Sequence, residues 1–134
     1  MTLIIKVVTH PAQLYWWQWA KIWGLFLPIL LFCFGVEHPW LWALAAHFLL
    51  DFTLQSDQTA AGKARCDWRV LASHAFISGG YAGLIAGGLV GLAISVAIHL
   101  LVDATNKFGL EGPAGPALDQ AAHIITLTII WWLL

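Results

Sequence analysis

Three aspartates in this chain stand four residues from a histidine, in His47-Phe48-Leu49-Leu50-Asp51, His99-Leu100-Leu101-Val102-Asp103 and Asp119-Gln120-Ala121-Ala122-His123. On a helix, positions i and i+4 share one face, so each pair presents an imidazole and a carboxylate to the same neighbour. His74 adds a fourth imidazole inside an apolar stretch. Neutral imidazole and carboxylate together suit Zn, Mn or Fe. His47, Asp51, His99 and Asp103 are the expected direct ligands. His74, Asp119 and His123 are expected as further ligands or as groups that orient them. A divalent metal held this way could activate water for hydrolysis. Lys63 and Lys107 are expected near the same surface, where they could hold a phosphate group. The alternative is a buried network of His-Asp and Lys-Asp pairs that fixes helix register without a metal.

These residues sit in unusually apolar surroundings. The chain has 134 residues, 60% of them hydrophobic and only 10% charged, with a mean hydropathy of +0.80. Soluble domains carry about a quarter charged residues, so the composition predicts an all-α integral membrane protein. An ionisable group at bilayer depth costs several kcal/mol unless it is paired or functional, which makes each of the seven a site candidate. The formal net charge of -1 excludes a strongly basic surface for nucleic acid. Cys33 and Cys66 share no metal-binding spacing, so neither a disulfide framework nor a cysteine-based zinc site is expected. Residues 1–14 do not read as a cleaved signal peptide.

A spanning helix needs roughly 20 apolar residues. Residues 15–36 meet that length, with Trp16, Trp17 and Trp19 as an aromatic belt and Lys21 able to snorkel. Pro39 opens a second helix over 40–55. Between Arg69 and Asp103 there is no Asp, Glu, Lys or Arg. One helix across 68–106 would be about 57 Å long, nearly twice the hydrocarbon thickness, so two helices meeting near Gly87-Gly88 are expected. A Gly- and Pro-rich loop over 106–116 precedes a last helix over 117–134. The expectation is about five transmembrane helices. All six Lys and Arg residues then fall on one side of the membrane, which places the N-terminus in the cytoplasm and the C-terminus outside. Under this topology the seven ionisable residues share the cytoplasmic leaflet, the histidines roughly 8 to 12 Å from the helix ends, and four helices converge on one cavity.

The same motifs hint at duplication. His-x-x-x-Asp, a loop with a lysine and a helix with a histidine occur twice, so two pseudo-repeated hairpins follow the N-terminal helix, with a site at their interface. Gly79, Gly83, Gly87 and Gly91 recur every four residues, a small-residue stripe that lets membrane helices approach closely. Packing within the chain is the expected use, with docking of another membrane subunit as the alternative. Two domains follow: residues 1–39, the N-terminal segment and first helix, and 40–134, a four-helix membrane domain with the His/Asp cluster.

Besides the metal site, the composition admits an ion or proton transporter, because chains of Asp and His also serve as relays. It also admits an accessory subunit of a larger membrane complex, docked through the Trp-rich first helix. His47 to Lys63 (HFLLDFTLQSDQTAAGK), His74, His99 to Lys107 (HLLVDATNK) and Asp119 to His123 (DQAAH) resemble the bacterial membrane-protein family called domain of unknown function 3307. The resemblance covers 40–134. It implies a small multi-pass protein of the bacterial inner membrane and carries no reaction with it.

Overall fold

The computed structural model of the protein describes residues 16–105 and 114–134. These residues are helical throughout, apart from short connections. Helix α1 (Trp16–Cys33) leads through a turn at Gly35 to α2 (Pro39–His47), which widens into a π-helical stretch, Phe48–Thr53. A short polar helix, α3 (Asp57–Ala64), precedes α4 (Trp68–His74), which widens in the same way over Ala75–Gly80 and runs into α5 (Tyr81–Thr105). Helix α6 (Ala114–Leu133) closes the bundle.

Local sequence explains the boundaries. Pro39 sits in the first turn of α2, where its missing N–H is harmless. Ser56 caps α3 by accepting the Thr59 N–H at 3.1 Å, and Asp67 caps α4 through the Arg69 N–H at 3.0 Å. The long apolar stretch from Trp68 to Thr105 breaks where the sequence predicts. Gly88 has φ 61° and ψ -150°, a backbone conformation that only glycine adopts without strain. The chain therefore folds back, and the segments on either side of the turn pack against each other. A Cβ at Gly83 would collide with the Gly91 carbonyl, and one at Gly91 with the Gly83 carbonyl. The small-residue stripe thus faces the chain's own backbone and side chains.

The expected count of five membrane spans requires correction. Among the described residues one stretch, 68–105, is long and apolar enough to cross a membrane. The apolar parts Lys21–Cys33 and Ala117–Leu133 are shorter. Helix α2 with its π-helical extension stops at Thr53, and two of its residues are His47 and Asp51. The physical reason is length: each of these rods falls below the roughly 20 apolar residues that one crossing uses.

The rods nevertheless alternate in direction, which sorts the chain into two ends. At one end the Thr53 hydroxyl donates to the Lys21 carbonyl at 2.7 Å, tying the start of α1 to the end of the first π-helical stretch. At the other, the His38 and Trp131 rings lie 5.3 Å apart, the Trp40 indole donates to Thr128 at 3.3 Å, and Gly87 lies against Ile130 and Leu134. A core of Ala43, Ala82, Ala86, Leu127 and Ile130 fills this second end.

Candidate functional site

The first end holds the ionisable residues. His47, Asp51, His74, His99, Asp103 and His123 are all buried, and Asp119 is partly so. They come from α2 and its extension, the end of α4, the last turns of α5 and the first turns of α6. Two of the histidines, His47 and His74, each stand immediately before a π-helical stretch. Such widened turns occur often at functional sites. Gly79 makes the approach close: a Cβ there would strike the His99 side chain.

Asp51 is the centre of the polar contacts. Its Oδ1 accepts from His74 Nε2 at 2.7 Å and its Oδ2 from Gln120 Nε2 at 2.6 Å. Since a carboxylate only accepts, His74 carries its proton on Nε2, and Nδ1 is left to accept from the Ser78 hydroxyl at 3.4 Å. Lys63 Nζ also lies 3.3 Å from His74 Nε2, but a protonated Nε2 cannot accept, so the shorter carboxylate contact decides the tautomer. Gln120 amide donors reach both Asp51 and, at 3.2 Å, Asp119. Its Oε1 lies 3.2 Å from His47 Nε2, which donates to it. His47 therefore acts on Asp51 chiefly through Gln120, its own direct approach to the carboxylate being 3.6 Å.

Lys63 is placed differently from the expectation of a phosphate-binding surface group. Gly62 packs against Val70 so closely that a Cβ would overlap its methyls. This tight α3–α4 hairpin turns Lys63 inward, and its ammonium pairs with Asp103 Oδ1 at 2.6 Å and approaches Asp51 Oδ1 at 3.7 Å. Burial opposes the charge, but the carboxylates of Asp51 and Asp103, with Asp119 beyond, outweigh it and hold the ammonium pKa above its ordinary value. Lys107 lies outside the described residues.

What remains unsatisfied is informative. The His99 and His123 rings stack with centroids 3.9 Å apart and planes 13° from parallel. Both Nε2 atoms are buried without a hydrogen-bond partner, as is Asp103 Oδ2. The nearest carboxylate oxygens stand 3.5 Å from His99 Nε2 (Asp51) and 3.5 Å from His123 Nε2 (Asp119), beyond ordinary hydrogen-bond range. Three overlapping groups bring their ligand atoms within 4.8 Å of one another: Asp51, His99 and His123; His74, His99 and Asp103; Asp103, Asp119 and His123. Six of the seven predicted ligands belong to these groups. His47 belongs to none of them, and Gln120, which orients Asp51, is the residue that the sequence reading passed over. Its position beside Asp119 on the cluster-facing side of α6 was the available signal.

The profile of a family described as Protein of unknown function (DUF3307) matches residues 40–134. The chain belongs to the DUF3307 family. The matched region begins at the start of α2 and contains the whole cluster, so the polar end belongs to the DUF3307 part of the chain and α1 lies outside the match. No curated protein and no solved structure matches the chain.

Proposed function

We propose that this DUF3307 protein is a multi-pass protein of the bacterial inner membrane that binds a divalent metal, Zn, Mn or Fe, in its His/Asp cluster. The observation that carries the reading is the pair of buried Nε2 atoms of His99 and His123, neither of which makes a hydrogen bond and each of which has a carboxylate oxygen 3.5 Å away. Unpaired buried polar atoms are rare because each loses its hydration without recompense. Two imidazole nitrogens and a carboxylate oxygen within 4.8 Å of one another are a donor set that these metals accept once the stacked His99 and His123 rings turn toward a common ion.

Among the three ligand groups, Asp51, His99 and His123 is the one we favour. The other two include Asp103, which the Lys63 ammonium holds at 2.6 Å, whereas that ammonium stands 3.7 Å from Asp51. His74 and Gln120 hold the Asp51 carboxylate in place through one oxygen each, and His47 holds Gln120. Three protein ligands leave a coordination position for water, as in catalytic rather than structural zinc sites. When bound, the metal would supply Lewis acidity and a water acidified to near neutral pH. Hydrolysis of a lipid or another membrane-associated substrate is the reaction class that we propose on this basis.

Membrane residence is supported by the outer surface. Phe32, Leu89 and Trp132 are about 80% exposed, among many other large apolar side chains, and surfaces of this kind mark contact with lipid or a partner. Alternating rods put Lys21 and Lys63 at one end and the Gly87 turn at the other, which supports a cytoplasmic placement of the cluster. The rods are short for a bilayer, so local thinning or polar end groups reaching to the interface must accompany this placement. Translocation is the weaker reading, because Ala43, Ala82, Ala86, Leu127 and Ile130 fill the bundle beyond the cluster. Metal titration of the detergent-purified protein tests the proposal. Wild type is expected to take up one divalent ion or two per chain, and the His99→Ala/His123→Ala double variant none. Equal uptake by both proteins would overturn it.

A further inference from the structure

The Lys63 ammonium lies 2.6 Å from Asp103 Oδ1 and 3.7 Å from Asp51 Oδ1. The third carboxylate of the cluster, Asp119, brings a ligand atom within 4.8 Å of one on Asp103, and its charge helps to keep the ammonium protonated. A cation thus already stands beside the proposed metal position. Asp103 is otherwise short of partners. It is 3% exposed, its Oδ2 makes no hydrogen bond, and the imidazole nitrogens facing that oxygen, His74 Nε2 and His99 Nε2, are 3.6 and 3.7 Å away. Buried carboxylate oxygens without a hydrogen bond are rare, and this group relies on the cation in front of it.

Charge sets how many metal ions can join that ammonium. With the histidines neutral, as metal ligands must be, Asp51, Asp103 and Asp119 carry the negative charge of the cluster. One divalent ion at Asp51, His99 and His123 and one ammonium at Asp103 balance it. A second divalent ion in place of the ammonium suits the donors, because Mg²⁺ and Mn²⁺ are commonly held by carboxylates with water completing the shell. The Asp119 side chain is 13% exposed, so waters can reach that side. A second ion beside the ammonium does not suit them, since like charges a few ångströms apart in a buried site repel strongly. Tethered to α3, the ammonium is present at high effective concentration and holds its place against a loosely bound ion.

The structure assigns Lys63 the part of a built-in second cation: its ammonium fills a position at Asp103, beside Asp119, that would otherwise take Mn²⁺ or Mg²⁺, and so keeps the centre at one metal ion. The inference rests on the metal-centre reading for the first ion and narrows the expected uptake of the wild type to one. A centre of this kind meets a substrate oxygen with one metal ion and one ammonium, where a two-metal hydrolase presents two ions.

Mn²⁺ titration of the reconstituted full chain, followed by loss of the free-ion spin-resonance signal, tests it. The expected result is one Mn²⁺ per chain in wild type, even at large excess, and two in Lys63→Met, the second bound more weakly. Lys63→Gln, whose amide can still donate to Asp103, is a second neutral variant and should match it. Adding Asp119→Asn to Lys63→Met should return the count to one, because Asp119 is absent from the group favoured for the first ion. Adding His99→Ala instead should also leave one, held at Asp103 and Asp119. Two ions in wild type would overturn the inference without any substitution, as would a single ion in folded Lys63→Met and Lys63→Gln. A wild type that takes up none, with a Lys63→Met that takes one and loses it on Asp119→Asn but not on His99→Ala, would sink the metal-centre reading and leave the second position standing. No uptake by any of these proteins would overturn both.

Discussion

At one end of the bundle Asp51, Asp103, Lys63 and four histidines meet; at the other, Ala43, Ala82, Ala86, Leu127 and Ile130 do. Both ends are tightly approached, and glycine permits it in each: Gly79 against His99, Gly83 against Gly91. The energetics differ. Small apolar side chains contribute through many weak contacts, none of which is decisive. The polar end depends on a few strong pairings, and removing one member leaves another group buried and unpaired. The apolar end can therefore lose a side chain and keep its design, whereas the polar end cannot.

The largest expected effect follows from that asymmetry. Asp51→Ala removes the acceptor for His74 and Gln120 and one of the two carboxylates near Lys63. Breaking a buried pair of this kind costs about 3–5 kcal/mol, and metal uptake is expected to vanish with it. Denaturant unfolding in detergent reads the first effect and metal titration the second. An Asp51→Ala protein with wild-type stability and metal content would break the comparison at its polar end.

How far the sequence foretold this end can be argued from particular residues. The i, i+4 pairing of His47 with Asp51, His99 with Asp103 and His123 with Asp119, together with alternating helix direction, was enough to predict their convergence, because helical periodicity fixes faces. The turn at Gly87-Gly88 was legible from length alone. The partition of roles was not. Whether His47 meets a metal or Gln120 depends on ring placement within a fraction of an ångström, which spacing does not encode. Lys63 was read as a surface group because the Gly62–Val70 contact that turns it inward is a tertiary fact. The π-helical stretches after His47 and His74 have no simple sequence mark. The count of spans failed because apolar runs were extended through residues that the fold uses as turns and polar ends.

At the apolar end the expected effect is of similar kind but narrower. Leu127 is 2% exposed, and Leu127→Ala leaves a cavity costing about 3 kcal/mol. The same unfolding measurement checks it. Metal affinity is expected to stay within a factor of two or so, since none of the ligand groups includes a residue of this core. A large loss of metal affinity in Leu127→Ala would show that the two ends are not separable, and would sharpen the comparison into one of mechanical coupling.

The smallest effect, and the one that most directly separates a metal centre from a purely structural network, is expected at Lys63. Its ammonium, 2.6 Å from Asp103 and 3.7 Å from Asp51, and a cation bound at Asp51 draw on the same negative charge. Lys63→Met keeps the side-chain volume and removes the charge. Without metal the variant should lose stability by about 1–2 kcal/mol, less than a fully buried pair loses, because Lys63 keeps some contact with solvent. The sign of the pH dependence follows from the raised pKa of the folded state. A group whose pKa rises on folding stabilises fully below its unfolded value and loses that contribution as pH climbs through the folded one. The difference between wild type and Lys63→Met should therefore be flat through neutral pH and shrink only above about pH 10, the ordinary lysine value. With metal added the order should reverse: the variant, freed of its internal cation, should bind a divalent ion more tightly than wild type. In a structural network Lys63 is an essential partner and nothing replaces it, so the variant would be less stable with or without metal. Unfolding curves of both proteins, with and without Zn²⁺ and across neutral to alkaline pH, distinguish the two, because only a metal centre restores the Lys63→Met protein to wild-type stability or above.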